Sequence, residues 1–231
     1  MTKSKSFPAA FRATVPVLLG YSAIGIAFGL LLFDTGLPFY IAPLMSIFIY
    51  AGSGQFVAIS LFAAQSGYLE IASITLLLNA RHMVYGFSVM ETFKKTGPVK
   101  PYLIFALTDE TYALLTTLPA PKGIDTRKFY FFIALLNHCY WVTASAAGYL
   151  IGRVLPVSTE GLDFALTALF VVLLIEQWHN CRVKLPFFIA AGCAVPALFL
   201  LDQRNMLIVS IVSAIAIILL LKKVIEAHGP R

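Results

Sequence analysis

Between Asp34 and Glu70 the chain runs for 35 residues without a charged side chain. As one continuous helix that tract would reach about 52 Å at ~1.5 Å per residue, well past a bilayer core of roughly 30 Å. It must tilt, break, or begin outside the core. Pro38 and Pro43 blunt its start, and Gly52, Ser53, Gly54 and Gln55 interrupt its middle. Glycines flanking a serine inside an apolar segment suit a discontinuous helix, whose free N–H groups at the restart can hold an anionic group with help from the helix dipole. The same residues also suit a small-residue packing seam. Gln55 tips the reading toward function, because a buried amide needs partners.

Composition extends the argument to the whole chain. Of 231 residues 59% are hydrophobic and 12% charged, about half the charge of a soluble domain. The expected fold class is an all-α polytopic membrane protein with about eight transmembrane segments, one of them discontinuous. No stretch between spans exceeds about a dozen residues, so a single membrane domain over residues 1–231 is expected, with a short cytoplasmic arm at 1–12 and a tail at 222–231. The net charge of +6 does not indicate nucleic acid, since the basic residues sit at the ends of apolar runs and act as topology signals. Cys139, Cys181 and Cys193 have no metal-site or redox spacing and read as small packing residues; no metal or cofactor is expected. The first apolar run, 13–33, is longer than a signal-peptide core and is expected to be retained.

The remaining spans follow in order. The first carries Gly20, Gly25 and Gly29, the last two in GxxxG spacing, which admits a neighbouring helix closely. The fifth, 129–152, holds Asn137, His138 and a second GxxxG pair at Gly148 and Gly152. His138 is either a core histidine bonded to a carbonyl or a proton-handling group. The sixth, 161–175, is short, with Glu176 and Trp178 marking its interface, and the seventh (185–201) and eighth (205–221) read as apolar scaffold. Eight spans with both ends inside place 11 Lys and Arg inside and five outside, whereas making 35–69 a re-entrant hairpin gives an even split. The charge bias favours eight. A short echo between 29–38 and 148–156, each a glycine followed by an apolar stretch and Leu-Pro, is too brief to establish a duplication.

The third span, 71–90, is apolar except at Asn79, Arg81 and His82. Glu70 and Glu91 bracket it, so Arg81 lies about 15 Å from either end. A charge at midplane costs about 3 kcal/mol or more and is expected to be paired and functional. Asp109 and Glu110 lie at similar depth in the fourth span, between Lys100 and Lys122. Consecutive spans run antiparallel, so Arg81 and His82 are expected to face that acidic pair.

The segments Gly25-Ile-Ala-Phe-Gly29, Ala51-Gly-Ser-Gly-Gln-Phe56, Asn79-Ala-Arg-His82 and Thr108-Asp-Glu-Thr-Tyr-Ala113, in this order and spacing, resemble the AzlC/BrnF family. The resemblance covers essentially the whole chain and is most specific over 16–115. It implies the large subunit of a two-component bacterial inner-membrane exporter of leucine, isoleucine and valine, with methionine as a candidate fourth substrate. It further implies a small AzlD/BrnE-type membrane subunit as partner and the proton-motive force as driver. The residues fit such a substrate. A zwitterion with an apolar side chain needs a cation or helix N-terminus for its carboxylate, an anion for its ammonium and apolar walls. Gly52, Ser53, Gly54, Gln55, Asn79, Arg81, Asp109 and Glu110 are the expected substrate contacts, and His82, Asp109, Glu110 and His138 the expected proton-coupling groups. Two other classes were weighed. An intramembrane serine protease would want Gly-x-Ser-Gly, but Ala51 stands where the first glycine should be, and no HExxH is present. A structural subunit with Arg81 and Asp109 as a plain ion pair is separable from a transporter only by transport assay.

Overall fold

The computed structural model describes residues 6–94, 96–118, 120–155, 183–201 and 203–221, with Val171, Leu174, Ile175, Trp178 and His179; the side chains of several helical positions, Arg81 among them, lie outside the described part. All regular structure among these residues is helical. The chain divides into two compact units, Met1–Leu166 and Thr167–Arg231. The expected sixth span, Glu176 and the C-terminal tail fall largely or wholly outside the described residues.

The first unit is built on two long helices, α1 (Ser6–Asp34) and α7 (Thr126–Val154), of 29 residues each. At ~1.5 Å per residue each is about 43 Å long, enough to cross a bilayer with tilt. Asp125 starts α7 by accepting the N–H groups of Arg127 and Lys128 at 3.0 and 3.3 Å. Leu155, extended ahead of Pro156, ends it. Gly36, at φ +73°, ends the first turn beyond α1 in the left-handed conformation that a glycine adopts freely.

The two GxxxG pairs pack on each other. A Cβ on Gly29 would strike Ser145 O and lie 2.5 Å from Tyr149 N, and one on Gly148 would lie 2.7 Å from Ile26 Cα. Gly25 meets Ala144 and Gly152 meets Phe33 in the same way. Small residues on both faces let the backbones touch, which is how helices associate where lipid removes the hydrophobic incentive. Phe7 lies against Phe132, Thr14 bonds Tyr140, and Phe33 lies against Tyr149. Residue numbers rise together along both helices, so α1 and α7 run parallel.

Around this pair stand two broken helices and one continuous one. The expected interruption of the 35–69 tract is present: α2 (Ile41–Phe48) stops, and α3 (Ser53–Ala63) restarts from Gly52. Next, α4 (Tyr68–Lys94) is unbroken through Asn79 and His82, with Glu70 in its first turn and Lys94 in its last, as the helix dipole favours. The fourth tract was expected to be one span; it too is divided, into α5 (Lys100–Phe105) and α6 (Asp109–Thr117). Large apolar side chains such as Leu19, Phe48 and Leu69 point away from the protein, as suits a lipid-facing surface. In the second unit α8 (Leu185–Leu200) and α9 (Gln203–Leu220) match the seventh and eighth expected spans closely. Trp178 packs edge-on against Phe187 and Phe188, with Lys184 Nζ 4.8 Å above its ring.

Candidate functional site

The first break follows from where the chain stops making helical bonds. The N–H groups of both Ile49 and Tyr50 turn to Met45 O, which frees the Ser46 carbonyl that Tyr50 would otherwise have taken. Tyr50 then adopts φ +44° and Gly52 φ +37°. A non-glycine residue held there costs of order 1 kcal/mol and persists only where its surroundings fix it. Here they do. His138 of α7 puts Nε2 3.2 Å from the freed Ser46 carbonyl and its ring 4.3 Å from the Tyr50 ring. A carbonyl only accepts, so Nε2 carries the proton and Nδ1 is left to accept from Tyr102 O–H at 3.1 Å.

Gln55 closes the break from the other side. Its amide donates to Ser46 Oγ at 3.2 Å, tying α3 back to α2, and its carbonyl accepts from Trp141 Nε1 at 2.7 Å, tying both to α7. Gln55, Ser46 and Trp141 are all buried.

At the second break Thr108 is extended and caps α6, its Oγ1 accepting the Thr111 N–H at 3.2 Å and lying 3.0 Å from Thr111 Oγ1. Asp109 and Glu110 occupy the first turn, where the dipole favours carboxylates. Tyr21 of α1 donates to Glu110 Oε2 at 2.7 Å and lies 2.8 Å from Thr108 Oγ1. Asn137 of α7 donates to Thr111 Oγ1 at 3.0 Å. The two breaks meet on the central pair, because Tyr21 packs edge-on against Trp141 at 5.2 Å. Phe28 and Phe56 extend that contact as an apolar wall.

Residues 16–155 match the family described as AzlC protein. The chain belongs to the AzlC family. The match spans α1 through α7 and therefore both breaks. Among relatives, an uncharacterized membrane protein of Helicobacter pylori is 39% identical, covering 96% of this chain and 97% of that one. The Bacillus subtilis branched-chain amino acid transport protein AzlC is 35% identical, over 96% of this chain and 87% of its own length. The Escherichia coli inner membrane protein YgaZ is 31% identical, over 77% and 75%. No solved structure matches. With its helical spans and membrane-protein relatives, this AzlC-family chain is a multi-pass membrane protein.

In this AzlC-family unit the residues singled out from sequence sort clearly. Gly52, Ser53, Gly54 and Gln55 form the restart of α3, with Ser53 and Gln55 buried. Asn79 sits across from Gly54, whose Cβ position is 3.8 Å from Asn79 Nδ2, while that nitrogen donates back to Thr75 O. Glu110 joins Tyr21, and His138 joins the first break. His82 lies edge-on to Tyr85 on its own helix; Tyr85 stacks on Tyr112 of α6 at 4.4 Å. The Arg81 backbone thus lies between the part of α4 beside the first break and the part beside α6, its side chain being outside the described part. Tyr21, Tyr50, Thr108, Thr111 and Trp141 were missed as site residues. Thr108 had a legible signal, a helix-capping threonine followed at once by two acids. The aromatic residues had none, since tyrosine and tryptophan in apolar tracts look like packing.

Proposed function

We propose that this protein is a secondary transporter, one membrane domain that exports leucine, isoleucine and valine with a small membrane subunit, driven by the proton-motive force. The observation that carries the reading is the convergence of two helix breaks on one buried polar cluster, held against a close-packed parallel helix pair. Broken helices at membrane depth are tolerated only where protein or a cavity lines them, and they offer N–H groups and carbonyls to a polar substrate. Membership of the AzlC family and the name of the Bacillus relative support the substrate class. In this reading the α3 restart and Arg81 serve the substrate carboxylate, and Asp109 and Glu110 serve the ammonium. Asn79 borders the site, and His82, His138 and the acidic pair exchange protons. Eight crossings with both ends cytoplasmic accompany it. Parallel α1 and α7 support that count, because parallel spans need an odd number of crossings between them and the three intervening tracts supply it.

The test is efflux from cells preloaded with labelled leucine, isoleucine or valine, carrying this chain with a small AzlD/BrnE-type membrane subunit. Faster loss than from cells with neither supports the reading. Equal loss for all three substrates would overturn it.

A further inference from the structure

Among the described residues, the Tyr50 hydroxyl and Asn137 Oδ1 are buried polar atoms of the cluster that the assigned hydrogen bonds leave over. Tyr50 is 4% exposed, and its hydroxyl lies beside Tyr21 and Thr111 with no well-formed hydrogen bond among the described residues. Asn137 is fully buried; its N–H group goes to Thr111 Oγ1, and its Oδ1 has no donor among the described residues. An orphaned polar atom is costly to bury, and more so in a membrane interior. Both orphans flank the same residue, Thr111, which follows Glu110 directly. Three elements thus bring oxygen-bearing side chains close to Thr111: the first break through Tyr50, α6 through Glu110, and α7 through Asn137.

The Asn137 oxygen and an ionised Glu110 carboxylate only accept, and the Tyr50 hydroxyl can accept as well as donate, so a cationic donor suits the three together. A primary ammonium carries three N–H bonds in tetrahedral array and a positive charge that complements the Glu110 carboxylate. A water molecule has two donors and no charge. The geometry points to Tyr50, Asn137 and Glu110 as the seat of the substrate's ammonium group, an assignment that rests on the transport reading above and adds two residues to it. Glu110 supplies the charge, while the Asn137 carboxamide oxygen and the Tyr50 phenol fix where the nitrogen sits. Because Tyr50 belongs to one broken helix and Glu110 to the other, an ammonium held between them also ties the two breaks together. Substrates that keep the apolar side chain but lack the amino group lose that tie.

The experiment compares binding of leucine with binding of 4-methylpentanoate, the same molecule without its amino group, by ligand-induced thermal shift on the purified protein with the proposed small subunit. The wild type is expected to prefer leucine by about tenfold or more. Tyr50→Phe and Asn137→Leu are expected to reduce that preference several-fold, weakening leucine while leaving 4-methylpentanoate within about twofold. Asn137→Asp keeps the acceptor oxygen and the shape, so it should retain the preference even if Asn137→Leu folds poorly. An unchanged preference in Tyr50→Phe and Asn137→Leu, whatever the overall affinity, would assign both atoms to a buried water and overturn the seat alone. A wild type that binds leucine no better than 4-methylpentanoate would overturn the seat, and one that binds neither would overturn the transport reading as well.

Discussion

Gln55 shows how far a single side chain could be read in advance. A buried amide in an apolar tract must find partners, so its need for them was legible. Its partners were not, because Ser46 lies nine residues back across a turn and Trp141 arrives from a helix 86 residues away. Gln55→Leu should orphan Ser46 Oγ and Trp141 Nε1 at roughly 1–3 kcal/mol each. Thermal unfolding in detergent should fall by several degrees. A melting temperature equal to the wild type would mean the amide does not hold the break. Glu110 gives the functional counterpart. Its charge was legible, whereas the Tyr21 hydroxyl that donates to it was hidden in a tract of ordinary apolar appearance. Tyr21→Phe removes one oxygen and little volume, so the protein should fold and insert while substrate efflux drops several-fold. Wild-type efflux would show that Tyr21 does not position the carboxylate.

At the scale of elements, the lengths of apolar runs found every long helix among the described residues, but run length cannot find a break that leaves hydropathy unchanged. The first break was legible from Gly52 and Gly54, which disturb helix propensity. The second, at 106–108, was not, since Ala106 and Leu107 favour helix and only the capping chemistry of Thr108 marks the restart. The GxxxG pairs were legible as contacts without a named partner; the partner is each for the other. This yields a paired prediction. Gly29→Val places a side chain into Ser145 O and Tyr149 N, in a backbone contact that cannot yield locally, and should reduce the amount of folded protein in membranes severely. Gly20→Ala meets nothing within 4 Å and replaces the weaker helix former, so it should be neutral or stabilising by up to about 1 kcal/mol. Fluorescence-detected gel filtration of the two variants decides it, and equal behaviour would mean that close α1–α7 packing does not limit folding.

For the molecule as a whole, charge placement and helix direction bear on topology independently. The excess of Lys and Arg at one set of loops predicts cytoplasmic ends, and the parallel run of α1 and α7 demands an odd number of crossings between them. A phosphatase fused after Leu221 should be inactive, and a fluorescent reporter at the same point should glow; an active phosphatase would contradict eight spans. The central claim is that the polar cluster between the two breaks handles an amino-acid substrate. It is tested most directly by counterflow of labelled leucine into liposomes that contain this chain and the proposed small subunit, with wild type and Glu110→Gln compared at equal protein. Glu110→Gln keeps the volume and the acceptor for Tyr21 but removes the charge. The account predicts labelled leucine accumulating in wild-type liposomes and at least about tenfold slower accumulation with Glu110→Gln. Equal accumulation by a well-folded Glu110→Gln protein would contradict it.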